Sequence, residues 1–249
     1  MTDLSSPCIE AGVDPLLAEL QEAVEVLCFG RDHPRREHVE RFIRSVFERA
    51  HGASVEAFYP HLLGFGATEG LRAVVGYRDG ASQGLFAEQY LDAPADELLA
   101  GRIGHPVRRE ELVEVGNLAL SEPGHARWVI AATTALLAAA GYRWVLFTAI
   151  RPLANAFRRL GLRPVALAEA DPARLPDGGA SWGRYYDASP VVYAGDILAG
   201  ASKLHAGSWG RRPRLRALLD GAHRLGGRTG RAAVDSRGVC RAALSGVGR

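Results

Sequence analysis

Apolar residues recur along this chain with two periods, and the places where one period gives way to the other outline a fold. Between Pro15 and Leu27, the residues Leu16, Leu17, Leu20, Val24 and Leu27 fall at helical spacings. From His33 to Gly52, Val39, Phe42, Ile43, Val46 and Phe47 form one stripe on a second helix, which Gly52 ends. Two strand-like runs follow at 59–68 and 71–77, separated by a Glu69-Gly70 turn. Residues 80–84 read as a loop, 85–91 as a mixed segment and 94–100 as a short helix. LVEVGNLAL, 112–120, is again strand-like, and SEPGHA breaks it. Residues 127–140, rich in Ala and Leu, predict a helix stopped by Gly141. A buried strand is predicted at 142–150, and Pro152 opens a helix that ends at Gly161. Residues 163–169 and 190–194 are further strands. The order predicts an α/β fold, a mixed central sheet flanked by helices.

Composition narrows the class. The 249 residues are 47% hydrophobic and 23% charged, enough for one sizeable core. The longest nearly uncharged apolar stretch, 129–141, falls short of the roughly 20 residues that a spanning helix needs. The first residues have neither the basic start nor the apolar run of an export signal. Cys8, Cys28 and Cys240 are far apart and fit no disulfide or metal spacing, so a reducing cytoplasm is the expected location. His33, His38, His51 and His61 show no ligand spacing, and no metal is expected. The net charge of +2 is uneven: ten Arg against Asp220 and Asp235 give residues 211–249 a charge of +8, leaving −6 for the rest. That basic, Gly-rich tail reads as an anion-binding arm or as a solvated extension. The expected division is a helical segment at 1–30, a main domain at 31–204 and the tail at 205–249.

Four places carry candidate chemistry. In Ser121-Glu122-Pro123-Gly124-His125-Ala126-Arg127 a strand ends and a helix begins. Open N–H groups at a helix start suit a pyrophosphate, and Arg127 adds a charge-assisted contact. Taken alone, the same spacing is also that of a plain turn. Glu114 interrupts an apolar strand; a carboxylate is costly to bury unless paired, and burial raises its pKa toward that of a general base. The alternative is a Glu on the solvent face of an edge strand. Glu88, Gln89 and Tyr90, beside Phe86 and Leu91, read as part of an acceptor pocket or as pointing to water. Trp182, Tyr185, Tyr186 and Asp187, after Gly178-Gly179, read as a loop that closes over a substrate or as one pinned to the core by its aromatics.

These segments carry a resemblance. Gly124, His125 and Ala126 resemble the second half of the coenzyme A signature of the N-acetyltransferase (GNAT) superfamily, Gln/Arg-x-x-Gly-x-Gly/Ala, with Ser121 in the place of Gln or Arg. RPLANAFRRLGLRPV resembles a later motif of that superfamily. There Asn155 holds the place of a pantetheine-facing Asn, and Phe157 that of a Tyr which often protonates the leaving thiolate. The runs LFAEQYLD, VEVGNLAL, YRWVLFTAIRPLANAFRRLGL and SWGRYYDASPVVYAGDI are similar to the bacterial thermostable hemolysin family, from about Phe58 to Ile197.

The resemblance implies a GNAT-like fold and an acyltransferase that moves an acyl group from a coenzyme A or carrier-protein thioester to the amine of a small molecule, in specialised metabolism. It implies that backbone N–H groups of Leu118 and Leu120 receive the pantetheine, that Gly124, His125, Ala126, Arg127, Asn155 and Phe157 hold the coenzyme, and that Glu114 is the base, acting through a water. Glu88, Gln89, Tyr90, Asn117, Trp182, Tyr185 and Tyr186 then face the substrate. Arg127, Arg151, Arg158 and Arg159 would hold phosphate or an acyl carrier protein alike. Acyl-homoserine-lactone synthases share the fold, but Asn117 stands where they have Arg, which argues against that chemistry as such. The alternatives are a membrane-active protein, as the family label suggests, and a GNAT-like domain that binds a thioester without turning it over. Nucleic acid is not an expected partner.

Overall fold

The computed structural model describes residues 23–67, 70–81, 84–207 and 212–230. Among the described residues seven strands form one sheet in the order β1-β2-β3-β4-β5-β7-β6. They are β1 (Glu25–Phe29), β2 (His61–Ala67), β3 (Gly70–Asp79), β4 (Leu112–Leu120), β5 (Trp144–Ala149), β6 (Val165–Glu169) and β7 (Val191–Asp196). Every neighbouring pair is antiparallel except β4 and β5. A parallel pair needs a crossover, and the Ala-rich helix between them supplies it.

Strand side chains alternate between the two faces, and each face has its own helices. The crossover helix α3 (Ala126–Ala139) covers one face with α4 (Arg151–Arg159), α5 (Ile197–Ala206) and α6 (Pro213–Thr229). There Val113 and Phe65 of the sheet share a core with Val129, Leu136 and Leu219. On the other face lie α1 (Arg36–His51), α2 (Ala95–Ile103) and a 3-10 turn at Phe86–Tyr90. Val39 and Ile43 of α1 pack on Phe29 and Leu62, and Leu99 of α2 belongs with Leu112 and Leu146. Gly52 ends α1 in the left-handed conformation, φ 67°, with its N–H on the Glu48 carbonyl.

Two stretches read as appendages belong to these layers. Residues 25–27, expected to finish an N-terminal helix, lie in β1, which pairs antiparallel with β2. The open edge of β2 offers a ladder of backbone partners, and that pairing overrides the local helical spacing. Residues 15–22 of the predicted helix, Cys8, Glu69 of the predicted turn and everything past 230 lie outside the described residues. Within the supposed tail, Leu215, Leu218, Leu219, Ala222 and Leu225 of α6 are buried against the sheet-covering helices, while Arg214, Arg216, Arg224 and Arg228 face outward. An apolar stripe with a charged opposite face is what a docked surface helix requires. Among the described residues no helix is long and apolar enough to cross a membrane.

Candidate functional site

The parallel strands run together only from Leu112↔Trp144 to Val115↔Phe147, although β4 continues to Leu120 and β5 to Ala149. The cause lies on the far edge of β4. Gly76 pairs with Gly116 and Val74 with Ala119, so Asn117 and Leu118 together face the single residue Val75. An extra residue of this kind bends its strand. Asn117 takes it up in the left-handed region at φ 46°. Its Oδ1 accepts the Tyr59 N–H at 2.9 Å and its Nδ2 donates to the Ala57 carbonyl at 3.3 Å, which locks the bend. Past the bend, Ser121 donates its N–H to Arg72 of β3. By strand alternation the Leu120 N–H points the other way, toward β5, and Leu118 and Leu120 both line the space where the strands part.

A cavity of about 450 Å³ occupies this gap and reaches both faces of the sheet. On the α1 side its wall holds Phe47, His51, Tyr59, Arg78, Phe86, Tyr90, Trp182 and Tyr185. On the α3 side it holds Ala126, Ile130, Thr133, Thr134 and Leu137, with Phe147 of β5 and Leu153 and Phe157 of α4. Arg78 is the one Asp, Glu, Lys or Arg among these lining residues.

Glu114 lies behind the Tyr59 wall and is 2% exposed, on a central strand rather than an edge. Its carboxylate accepts the N–H groups of Phe86 at 2.8 Å and Ala87 at 2.7 Å. It also accepts the Tyr59 hydroxyl, while Arg78, its partner across the strands, holds Nε 3.6 Å away. The Arg78 guanidinium lies 4.1 Å over the Tyr59 ring. Burial pushes the Glu114 pKa up against the pull of these bonds. Burial and the neighbouring Glu114 charge raise the Tyr59 hydroxyl well above its usual 10, so it stays protonated and donates to Glu114. Glu114 does not line the cavity itself; Tyr59 stands between.

The other expected residues divide. Glu88 is off the cavity: it is bound by Arg109 and by the N–H groups of Leu85 and Ala95. Burial raises its pKa, but these bonds outweigh it and hold the group at about 2. Gln89 donates to the Phe86 carbonyl at 3.2 Å. Both brace the 3-10 turn whose N–H groups hold Glu114. Tyr90 lines the cavity and bonds the hydroxyl of Tyr186 behind it. Trp182 and Tyr185 line it too, on a loop docked to the end of α1 through Ser54 N–H to the Ser181 carbonyl and Arg184 N–H to the His51 carbonyl. The aromatics thus both pin the loop and form the wall.

Where the sequence led us to expect a coenzyme site, the structure departs further from expectation. Residues Pro123–His125 form a 3-10 turn in which the N–H groups of His125 and Ala126 donate to the Glu122 and Pro123 carbonyls. Two of the N–H groups expected to be open for a pyrophosphate are therefore used within the turn. Ala126 lines the cavity, whereas exposed Gly124, half-buried Arg127 and buried His125, which meets Ser121 Oγ at 3.2 Å, do not. Phe157 stacks on Phe147 with centroids 4.6 Å apart, so no hydroxyl stands there. Asn155 is exposed on α4, accepting from Arg158 at 3.2 Å, away from the cavity. Among the described residues no group of three or more His, Cys, Asp or Glu is placed to hold a metal. Sequence reasoning missed Tyr59, Arg78 and Thr133. The available signal for Arg78 was a charge at the end of one apolar strand to match Glu114 on another.

A family model described as thermostable hemolysin matches residues 29–201. No curated protein sequence matches at a significant level. Among solved structures, FeeM, an N-acyl amino acid synthase from uncultured soil microbes, is similar at 16% identity and a TM-score of 0.50, over 74% of this chain and 96% of that one. BjaI, a CoA-dependent acyl-homoserine lactone synthase, is similar at 13% identity and 0.50, over 74% and 89%. The AHL synthase LasI is similar at 12% identity and 0.50, over 75% and 97%. At these identities the likeness is one of fold.

Proposed function

From the premise that the chain belongs to the thermostable hemolysin family, we propose that it is a GNAT-like acyltransferase that moves an acyl group from a coenzyme A or carrier-protein thioester to the amine of a small molecule. The observation that carries this reading is the cavity at the parting of β4 and β5, lined by Leu118 and Leu120 of β4, whose backbone N–H groups are the donors the reading calls on. A pantetheine arm laid between the strands would meet those N–H groups, and fixed donors aimed at a developing oxyanion are an effective way to lower an acyl-transfer barrier. The amine attacks the thioester carbon, the C–N bond forms, and the C–S bond breaks to release the thiolate. The amine's surplus proton passes to the Tyr59 oxygen as Tyr59 gives its own proton to Glu114, so Glu114 is the final acceptor through a phenol rather than through a water. FeeM is described as acting in the synthesis of N-acyl amino acids; here Arg78 would meet the carboxylate of an acceptor of that class.

Thermal stability in the presence of coenzyme A, acyl-CoAs of graded length and an acylated carrier protein tests the reading, because a ligand that binds the folded state raises its apparent stability. A shift with an optimum in chain length is expected, and the stronger donor class identifies the carrier. No shift with any thioester overturns it.

A further inference from the structure

The two sides of the cavity offer a ligand different surfaces. Arg78 and the phenols of Tyr59, Tyr90 and Tyr185 belong to the α1 side. On the α3 side the polar side chains in the lining are Thr133 and Thr134, and neither offers a hydrogen-bond donor. Thr134 gives its hydroxyl proton to the Ile130 carbonyl at 2.8 Å, and Thr133 Oγ1 is buried out of a ligand's reach. The remaining side chains there present carbon, and the space has a floor. Leu137 and Ile197, each 1% exposed, line it beside the start of β5, where the Ile197 N–H donates to the Arg143 carbonyl. Val145 lines that end from the sheet. Its strand has a neighbour on either side, yet the side chain is only part-buried, because the surface it leaves open is the cavity's.

We infer that this side of the cavity takes the acyl chain, that it selects a hydrocarbon chain of about twelve to fourteen carbons free of oxygen, and that Val145, with Leu137 and Ile197, sets its length. The inference rests on the acyl-transfer reading above and adds the class of donor. That reading sets the thioester at Leu118. Val145 is paired with Val113, five residues back along β4, which is about 16 Å at the rise of a parallel strand. An extended chain covers about 1.2 Å per bond, a third of the reach of one peptide residue, so about thirteen bonds fill that distance. Each methylene laid against carbon tightens binding by up to about fourfold until the floor is met. A ketone in mid-chain can only accept, and here it would be left without a donor.

The test uses the full chain and reads dissociation constants for saturated acyl-CoAs from hexanoyl to octadecanoyl, for the same acyl groups on a carrier protein, and for dodecanoyl-CoA with a keto group at mid-chain. Affinity is expected to climb with length, peak at about twelve to fourteen carbons and then fall. The mid-chain ketone should weaken binding about tenfold. Val145→Phe adds a ring at the floor and should shorten the optimum by about three carbons, roughly the span of one peptide residue. Val145→Leu is the smaller addition, should the ring not be accommodated, and is expected to shorten it by about one carbon. An affinity independent of chain length, a ketone bound as tightly as the plain chain, or an optimum unmoved by both variants overturns the inference and leaves acyl transfer standing. Failure of every thioester to bind, on coenzyme A and on carrier protein alike, removes the acyl-transfer reading itself.

Discussion

Glu114 is held by two backbone N–H groups and a phenol, and each of these contacts limits what a substitution there can reveal. Gln in its place would set an amide N–H against one of those donors, at a cost of about 1–3 kcal/mol in stability. Tyr59 offers the cleaner experiment, because Phe keeps the ring that packs on Gly116 and removes only the hydroxyl. Tyr59→Phe is expected to lower kcat by about 10²-fold or more, the usual worth of a positioned proton acceptor, while thioester binding by thermal shift is unaffected. In the proposed reaction Glu114 must be ionised to take the proton, and burial raises its pKa above 4.5, so the wild-type rate should fall on the acid side at a pH above that value. Tyr59→Phe should flatten that acid limb. Glu114 was legible in the sequence because a carboxylate in an apolar strand has to be explained. Tyr59 and Arg78 were not, since only the register Arg78↔Glu114 and the Asn117 bend bring them to it.

The elements themselves were largely readable, because apolar period and glycine stops are local properties of the chain. How they dock was not. The loop bearing Trp182 and Tyr185 reads from composition equally as a closing flap and as a loop pinned by its aromatics, and its backbone is bonded to the end of α1. Gly183 makes the contact possible: at φ 54° its position would place a Cβ 2.2 Å from the His51 carbonyl oxygen. Gly183→Ala should therefore lift the loop and cost about 1–3 kcal/mol of stability for the disfavoured backbone alone. In the proposed function Trp182 and Tyr185, which line the cavity, wall its acceptor side, and the acceptor KM should then rise more than the donor KM. A thermal melt and paired KM measurements check both parts; an unchanged acceptor KM would mean that the loop does not hold the substrate. The same separation of local from docked structure explains β1, whose spacing suited a helix until the edge of β2 was there to pair with it.

For the molecule as a whole, the telling element is α6, because Arg and Gly content pointed to a solvated arm while its leucines are buried on α3. Its periodic stripe was present in the sequence, but ten Arg and several Gly outweighed it in a reading by composition. Two adjacent glycines decide between a docked helix and a free one. A Cβ on Gly227 would meet nothing within 4 Å, whereas one on Gly226 would come 2.1 Å from the Leu136 carbonyl oxygen of α3. In a solvated helix, Gly→Ala raises helix propensity by up to about 1 kcal/mol at either position. In a docked helix the signs separate. Gly227→Ala should stabilise the protein by that amount, and Gly226→Ala should force α6 off α3 and cost about 1–3 kcal/mol, as overpacking of a fitted contact does. Urea denaturation of the two variants beside the parent reads this directly. Equal effects of the same sign would return α6 to the solvent, and opposite signs would make it part of the fold that backs α3.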